Sequence, residues 1–480
     1  MPYRHAYDAV VVGAGPNGLA AAITLARARL RVLLIEAKET VGGGMRTAEL
    51  TLPGFRHDVC SAIFGLGLAS PFLRRQPLED HGLEWVFPSA AVAHPFDDGS
   101  AVMLERSIEA TAKGLGKDGY AYQRLMGPLV YDWVEILEDM LGPLPVPPRY
   151  PLADLRLATR AIRSARGLAK SNFKGEKARG FFAGMAGHSV QPIEAVGSAA
   201  SALMLGMVGH AVGWPMARGG SQGVADALAS ILRSLGGEIL TGQEIRSFDE
   251  LPTAPAFLFD LTPRQLVHIV GERLPARYVR ALQRYRYGPG VFKMDFALSE
   301  PIPWKARECA CAATVHLGAS LDEISISERA PWRGEHSEKP YVLLVQQSLF
   351  DPTRAPEGKH TAWAYCHVPA GSTFDMSARI ETQIERFAPG FRDCILAKHT
   401  YNTEQMEAYN ANYIGGDIIG GVQDLRQQFM RPTVSLVPYA TPAQGIYLCS
   451  SSTPPGGGAH GMCGYNAARV VLKREFNIKT

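Results

Sequence analysis

A chain of 480 residues is longer than one hydrophobic core usually serves, so two domains are expected, with room to bury a large cofactor or an oily substrate. Hydrophobic content of 46% with 20% charged residues excludes a disordered chain, and a net charge of +3, the small difference between 49 basic and 46 acidic residues, gives no sign of a nucleic-acid partner. Seven scattered cysteines without a C-x-x-C pair lack the usual signatures of disulfide exchange and structural zinc, and no metal site is expected.

The chain enters the apolar segment "YDAVVVGAG" without a basic-then-apolar leader, which reads as a cytoplasmic, non-exported protein. From there "DAVVVGAGPNGLAAAITLARARLRVLLIEA" predicts a buried strand, a glycine turn, a helix, a second strand and an acid, Glu36, at its end. Glycine makes up about a tenth of the chain, so three glycines at G-x-G-x-x-G spacing carry weight only in such a context. Here Gly13 permits the tight turn, Gly15 the approach of backbone N–H groups to a pyrophosphate, and Gly18 the packing of helix on strand. Glu36 then accepts hydrogen bonds from a ribose and repels a 2′-phosphate, which disfavours NADP.

Past Glu36 come "AKETVGGGMRT" and "LPGFRHD". These resemble the large family of FAD enzymes that holds carotenoid desaturases, carotenoid isomerases and amine oxidases. The resemblance implies that Gly42, Gly43 and Gly44 lie along the pyrophosphate beside Pro16 and Asn17 of the first turn. Gly54, Phe55 and Asp58 match a Gly-Phe-x-x-Asp stretch of the carotenoid branch. That family often has arginine straight after its Gly-Gly pair; here Gly44 fills the slot and the arginine is Arg46, a candidate cofactor contact.

Residues 75–212 read as a mostly helical insertion, with "GPLPVPPRYP" as a helix-to-helix connector. Residues 149–179 carry nine Lys or Arg against two acids, a local net of +7. Arg156, Arg160, Arg163, Arg166, Lys170, Lys174 and Lys177 recur every three or four positions, which predicts one basic helix face over 155–179. That face is either solvated, docked peripherally on an anionic membrane, or bound to an acidic partner. Residues 195–217 contain no Asp, Glu, Lys or Arg before Pro215; they are long enough for a membrane span but rich in small residues, and read better as a buried helix lining an apolar cavity.

Residues 213–245 predict a glycine-rich entry, an amphipathic helix stopped by Gly236-Gly237, and a strand. They resemble the family segment that returns beside the adenine, which implies Ile245 as a contact there. The family's usual hairpin is missing, because "RSFDELPTAPAFLFDLTP" leads straight to another apolar strand. In 286–420, "VFKMDFALS", "YVLLVQQSL" and "HTAWAYCHV" read as strands.

The C-terminal "GIYLCSSSTPPGGGAHGMCGYNAARVVL" reads as strand, loop and helix, yet no acid follows at ribose distance, so a second dinucleotide fold does not fit. Thr453, Pro455, Gly456, Gly458 and Gly461 match the Thr-x-Pro-Gly-x-Gly-x-x-Gly signature of the carotenoid branch. The chain thereby resembles the phytoene-dehydrogenase-related group, in which this loop lies against the flavin end of the same FAD; Gly457, Gly458, Gly461 and Met462 are the implied contacts.

The resemblance implies an α/β fold: a Rossmann-type FAD-binding domain of the GR2-like flavoprotein kind from 1–74, 213–285 and 421–480, and an inserted α+β substrate domain from 75–212 and 286–420. It implies hydrogen transfer across a C–C bond of a lipophilic isoprenoid or acyl substrate; the electron acceptor, oxygen, a quinone or another flavin couple, is left open. Polyene isomerisation on FAD, and a flavin-bound protein acting by association, are the alternatives. His460, in the C-terminal loop, is the candidate proton carrier, against a structural role in which it bonds to backbone.

Overall fold

The computed structural model describes residues 6–143 and 147–479. Strand Ala9–Val12 is the centre of an all-parallel sheet of five strands. On one side lie Ala256–Phe259 and Ile446–Leu448, on the other Val32–Ile35 and Glu238–Leu240. Every residue of the central strand is buried because helices cover both faces, which is why it reads as an unbroken apolar run. Val11, Leu34 and Leu258 pack against helices Pro16–Arg27, Gln222–Ser234 and Met462–Glu475. Val10, Leu33 and Phe257 face helices Pro263–Val270 and Ala276–Gln283.

The first and last of these helices touch at glycine. A Cβ on Gly464 would lie 1.7 Å from the Asn17 carbonyl oxygen, so only glycine admits this crossing. The contact brings the two ends of the chain together and sets the C-terminal loop 450–461 beside the first glycine turn.

A second sheet has seven strands, in the order Ile395–Tyr401, Gly290–Leu298, His360–Val368, Val342–Val345, Ala312–Leu317, Ala90–Pro95, Ala101–Glu105. All neighbours are antiparallel except Ala312–Leu317 with Ala90–Pro95. One face packs on Ile380, Ile384 and Phe387 of helix Ser377–Phe387. Thr314 lies opposite Val345, Val345 opposite Trp363 and Leu343 opposite Tyr365, so these five side chains share the other face.

Segment 75–212 is mostly helical and also supplies two strands of that sheet, because "AAVAHP" and "AVMLE" pair across a tight turn. One expectation is corrected here. The basic stretch is not one helix but three, Pro151–Ala161, Ala165–Asn172 and Glu176–Gly187. Ser164 caps the second by accepting the Gly167 N–H, and extended Gly175 precedes the third, so the seven basic residues lie on no common face. Arg156, Arg166 and Lys177 are moreover ion-paired to Asp132, Asp322 and Asp98. Of "GPLPVPPRYP", residues 144–146 lie outside the described residues; the flanking helices end at Met140 and begin at Pro151.

Candidate active site

A continuous cavity of about 1290 Å³ extends from the first glycine turn, past the C-terminal loop, to the unpaired face of the seven-stranded sheet. Drug-sized ligands occupy pockets of about 300–1,000 Å³, so this space suits a large cofactor with a second molecule beside it.

At one end the cavity is lined by Gly13, Gly15, Pro16, Asn17, Glu36, Gly43, Gly44, Arg46 and Ile245. Gly13 has φ +99°, the left-handed turn that glycine allows, and a Cβ on Gly18 would lie 1.8 Å from the Gly13 carbonyl oxygen. Gly18 and Gly42 thus shape the turn from beneath without lining the cavity: the Gly42 N–H bonds the Ala14 carbonyl and a Cβ there would press on Ala225. A Cβ on Gly43 would lie 3.0 Å from Gly15 Cα, so two glycine backbones form one bare groove. The buried Asn17 Oδ1 has no hydrogen-bond partner among the described residues and stands at the head of the helix, where a ligand group would satisfy it.

Glu36 closes the nucleotide end. Its carboxylate accepts the Ala14 and Lys38 N–H groups and is paired to Arg46 Nη2 at 3.0 Å. Arg46 also donates to the Thr40 carbonyl at 2.8 Å. Arg46 is therefore clamped at the ribose end, and it softens the repulsion that Glu36 alone would exert on a 2′-phosphate.

Asp260 is not among the site residues read from the sequence. It ends strand Ala256–Phe259 directly under the turn, and its Oδ2 accepts the Gly18 N–H at 2.9 Å. Burial pushes its carboxyl up to about 7, with Glu36 nearby adding to the rise and the Gly18 hydrogen bond opposing it. Because the folded-state value is raised, the stabilisation linked to this proton is complete below about 4 and is lost as pH rises through about 7. An anion seated on the same turn favours the protonated form further. Dinucleotide affinity is thus expected to fall above pH 7, by up to about tenfold per pH unit for one linked proton. Titrating binding between pH 6 and 9 checks this, and Asp260→Asn should flatten the profile.

At the C-terminal turn Gly457, Gly458, Ala459 and His460 line the cavity, whereas Gly461 and Met462 start the last helix beneath it. Gly461 has φ +70°, and a Cβ there would strike the Phe72 ring at 2.8 Å. The His460 ring is 1% exposed; its Nδ1 accepts the Met462 N–H at 3.1 Å, and the carbonyls of Gly457 and Gly456 take hydrogen bonds from the ring. Burial lowers its pKa to about 4. With Nδ1 engaged in its own loop, the His460 ring fits the structural alternative, a brace of the turn.

The inner lobe is built from Thr314, Leu343, Val345, Trp363 and Tyr365 on the sheet, with Ala200, Ser201, Met204 and Leu205 of helix Ala199–Ala211 on another wall. That helix is the charge-free segment expected to line an apolar cavity. Among the described residues no helix is long and apolar enough to cross a membrane. His188 also lines this lobe. Its Nε2 meets His316 Nε2 at 2.9 Å and its ring stands edge-on to Trp214, while its Nδ1 has no partner among the described residues. The acids lining the cavity are Glu36, Glu244 and Asp260 at the nucleotide end and Asp154, whose carboxyl is pushed up to about 6 by burial and by the neighbouring Asp139. No carboxylate faces the inner lobe among the described residues.

Asp58, of the Gly-Phe-x-x-Asp stretch, does not line the cavity. It is fully buried, pairs with the equally buried Arg354, and accepts bonds from Thr47 and Ser221. It ties the start of helix Gln222–Ser234 to the second glycine cluster.

Residues 11–75 match the family model described as an NAD(P)-binding Rossmann-like domain. The chain is 26% identical to pyridine nucleotide-disulfide oxidoreductase domain-containing protein 2 of Mus musculus, over 98% of this chain and 94% of that protein. One of the limonene dehydrogenase polypeptides of Castellaniella defragrans is 32% identical over 22% of this chain and 19% of its own. Putrescine oxidase bound to putrescine superposes with a TM-score of 0.62 at 18% identity, covering 98% of this chain and all of that one. The fold is that of the amine oxidases. Its Rossmann-like part is the five-stranded sheet with the first glycine turn.

Proposed function

We propose that this chain is an FAD-dependent oxidoreductase that adds or removes hydrogen across a C–C bond of a neutral, lipophilic substrate. The observation that carries this reading is the continuous cavity, with a bare glycine groove at one end and an apolar lobe without carboxylates at the other. FAD, when bound, supplies the hydride acceptor. Gly13, Gly15, Pro16, Asn17, Glu36, Gly43, Gly44, Arg46 and Ile245 would hold its adenosine and pyrophosphate part. Gly457 and Gly458 would meet the flavin end. Trp363, Tyr365, Leu343, Val345 and Met204 would position the substrate and exclude water. His188 would take or return the proton that leaves the neighbouring carbon when hydride is transferred.

The lobe also speaks against a diamine as substrate. A buried ammonium needs a carboxylate or a dense set of acceptors, and the lobe offers only neutral groups, His188, Ser189, Gln191, Ser201, Thr314 and the Tyr365 hydroxyl, among aliphatic and aromatic walls. The similarity to a limonene dehydrogenase polypeptide points to the isoprenoid side, the likeness to putrescine oxidase to fold alone.

Anaerobic addition of isoprenoid alkenes or acyl thioesters should bleach the flavin of the purified protein, while putrescine leaves its colour unchanged. Bleaching by amines and not by any lipophilic compound would overturn the assignment. A polyene whose double-bond geometry changes only after chemical reduction of the flavin, with no net redox product in air, would make the chain an isomerase.

A further inference from the structure

We infer that the mouth of the cavity docks on an anionic lipid surface, with helix Pro151–Ala161 and residues 429–436 entering the headgroup layer. Helix Pro151–Ala161 buries Ala153 and Leu157 against the protein but turns Leu152 and Leu155 outward, 71% and 59% exposed, in line with Ile162 at 56% just past its end. A surface helix ordinarily hides its apolar stripe. Across the mouth, Phe429, Val434 and Leu436 are 58%, 81% and 100% exposed.

These two segments form one rim. The Gly197 N–H bonds the Ile162 carbonyl at 3.0 Å, and a Cβ on Gly197 would lie 2.9 Å from Leu425, the first residue of the helix that carries Phe429. Ile162, Phe429 and Leu436 are exposed and also line the cavity, so the apolar interior reaches the apolar rim at these side chains.

The charges select the occupant. Exposed Arg163 and Arg426, with half-buried Arg160, lie along the rim, and none is ion-paired to an acid among the described residues. Asp424 at this edge is taken by Arg286. Exposed aliphatic side chains flanked by arginines are the pattern of a helix lying in a membrane interface. A helix of 11 residues lies in that layer and does not cross it. A protein partner seated here would plug the opening, whereas a lipid layer lets an oily ligand pass into the lobe without crossing water. The inference rests on the lipophilic reading of the cavity for its purpose, and vesicle binding is measured without any substrate, so the two fail separately.

The whole protein should co-sediment with vesicles of mixed phosphatidylglycerol and phosphatidylcholine. Binding should weaken with salt, since charge is screened over about 8 Å at physiological ionic strength. Leu152→Ser with Leu155→Ser, and separately Val434→Ser, remove rim side chains that do not line the cavity. Each should weaken vesicle binding, together at least about tenfold, with flavin content and circular dichroism unchanged. Arg160→Glu with Arg163→Glu should abolish the preference for phosphatidylglycerol. No binding at low salt, or undiminished binding by both rim variants, overturns the inference. So does a concentration-dependent dimer that the rim variants abolish, which would assign the face to a second copy of this chain.

Discussion

Gly15→Leu should yield a folded but colourless protein. Gly15 has φ −72°, ψ −179°, ordinary extended backbone, so a side chain brings no conformational strain. The obstacle is space. A Cβ here lies 2.7 Å from Asp260 Oδ2, and the Asp260 carboxyl cannot simply swing away because it accepts the Gly18 N–H at the same oxygen. The leucine must therefore displace the Asp260 carboxyl that braces the turn or extend into the cavity that Gly15 lines, where a pyrophosphate would pass. At Gly18 the outcome differs: a side chain 1.8 Å from the Gly13 carbonyl cannot be accommodated, and Gly18→Leu should prevent folding outright. Comparing visible absorbance with the unfolding midpoint of Gly15→Leu separates loss of cofactor from loss of fold. Normal flavin content in Gly15→Leu would remove the nucleotide site from this turn.

What the sequence made legible at this end follows from local physics. A glycine with positive φ, a helix that begins three residues later and an acid closing the next strand lie within some thirty consecutive residues. The parallel strands were equally legible as apolar runs because both their faces are covered. The basic stretch misled because a three-to-four-residue period continues through Ser164 and Gly175 as readily as along one helix. Only the cap hydrogen bond of Ser164 reveals the break. Asp260 and Arg354 escaped notice for another reason, since each acts on partners far along the chain, while the sequence ranked His188 below His460 as a proton carrier. Asp260 serves a turn 242 residues earlier, and Arg354 pairs across 296 residues. An acid at the end of a buried strand, "AFLFD", was the one available signal for Asp260.

Of the histidines that line the cavity, His188 and His460 separate by what holds their nitrogens. His188→Ala should slow flavin reduction by about 10² to 10⁴, the usual cost of losing a positioned acid or base. His460→Ala should leave the rate near normal and lower stability by about 1 kcal/mol, the net worth of an ordinary hydrogen bond. His188 lines the lobe while His316 holds its Nε2, so a proton taken at Nδ1 would be accompanied by donation of Nε2–H to His316. Burial, with His367 close by, pulls the His188 pKa down to about 3, so the ring is neutral throughout the physiological range. Reduction rates should consequently show no His188 titration between pH 5 and 8. His316→Phe takes away the partner without touching the lobe, and should reduce the rate less than His188→Ala does. The measurements are flavin content, single-turnover reduction rate and unfolding midpoint on each variant. A normal rate in His188→Ala would remove it from the chemistry. A slow rate with a normal midpoint in His460→Ala would return the proton to the C-terminal loop, and the turn built by Gly456, Gly458 and Gly461 would still stand.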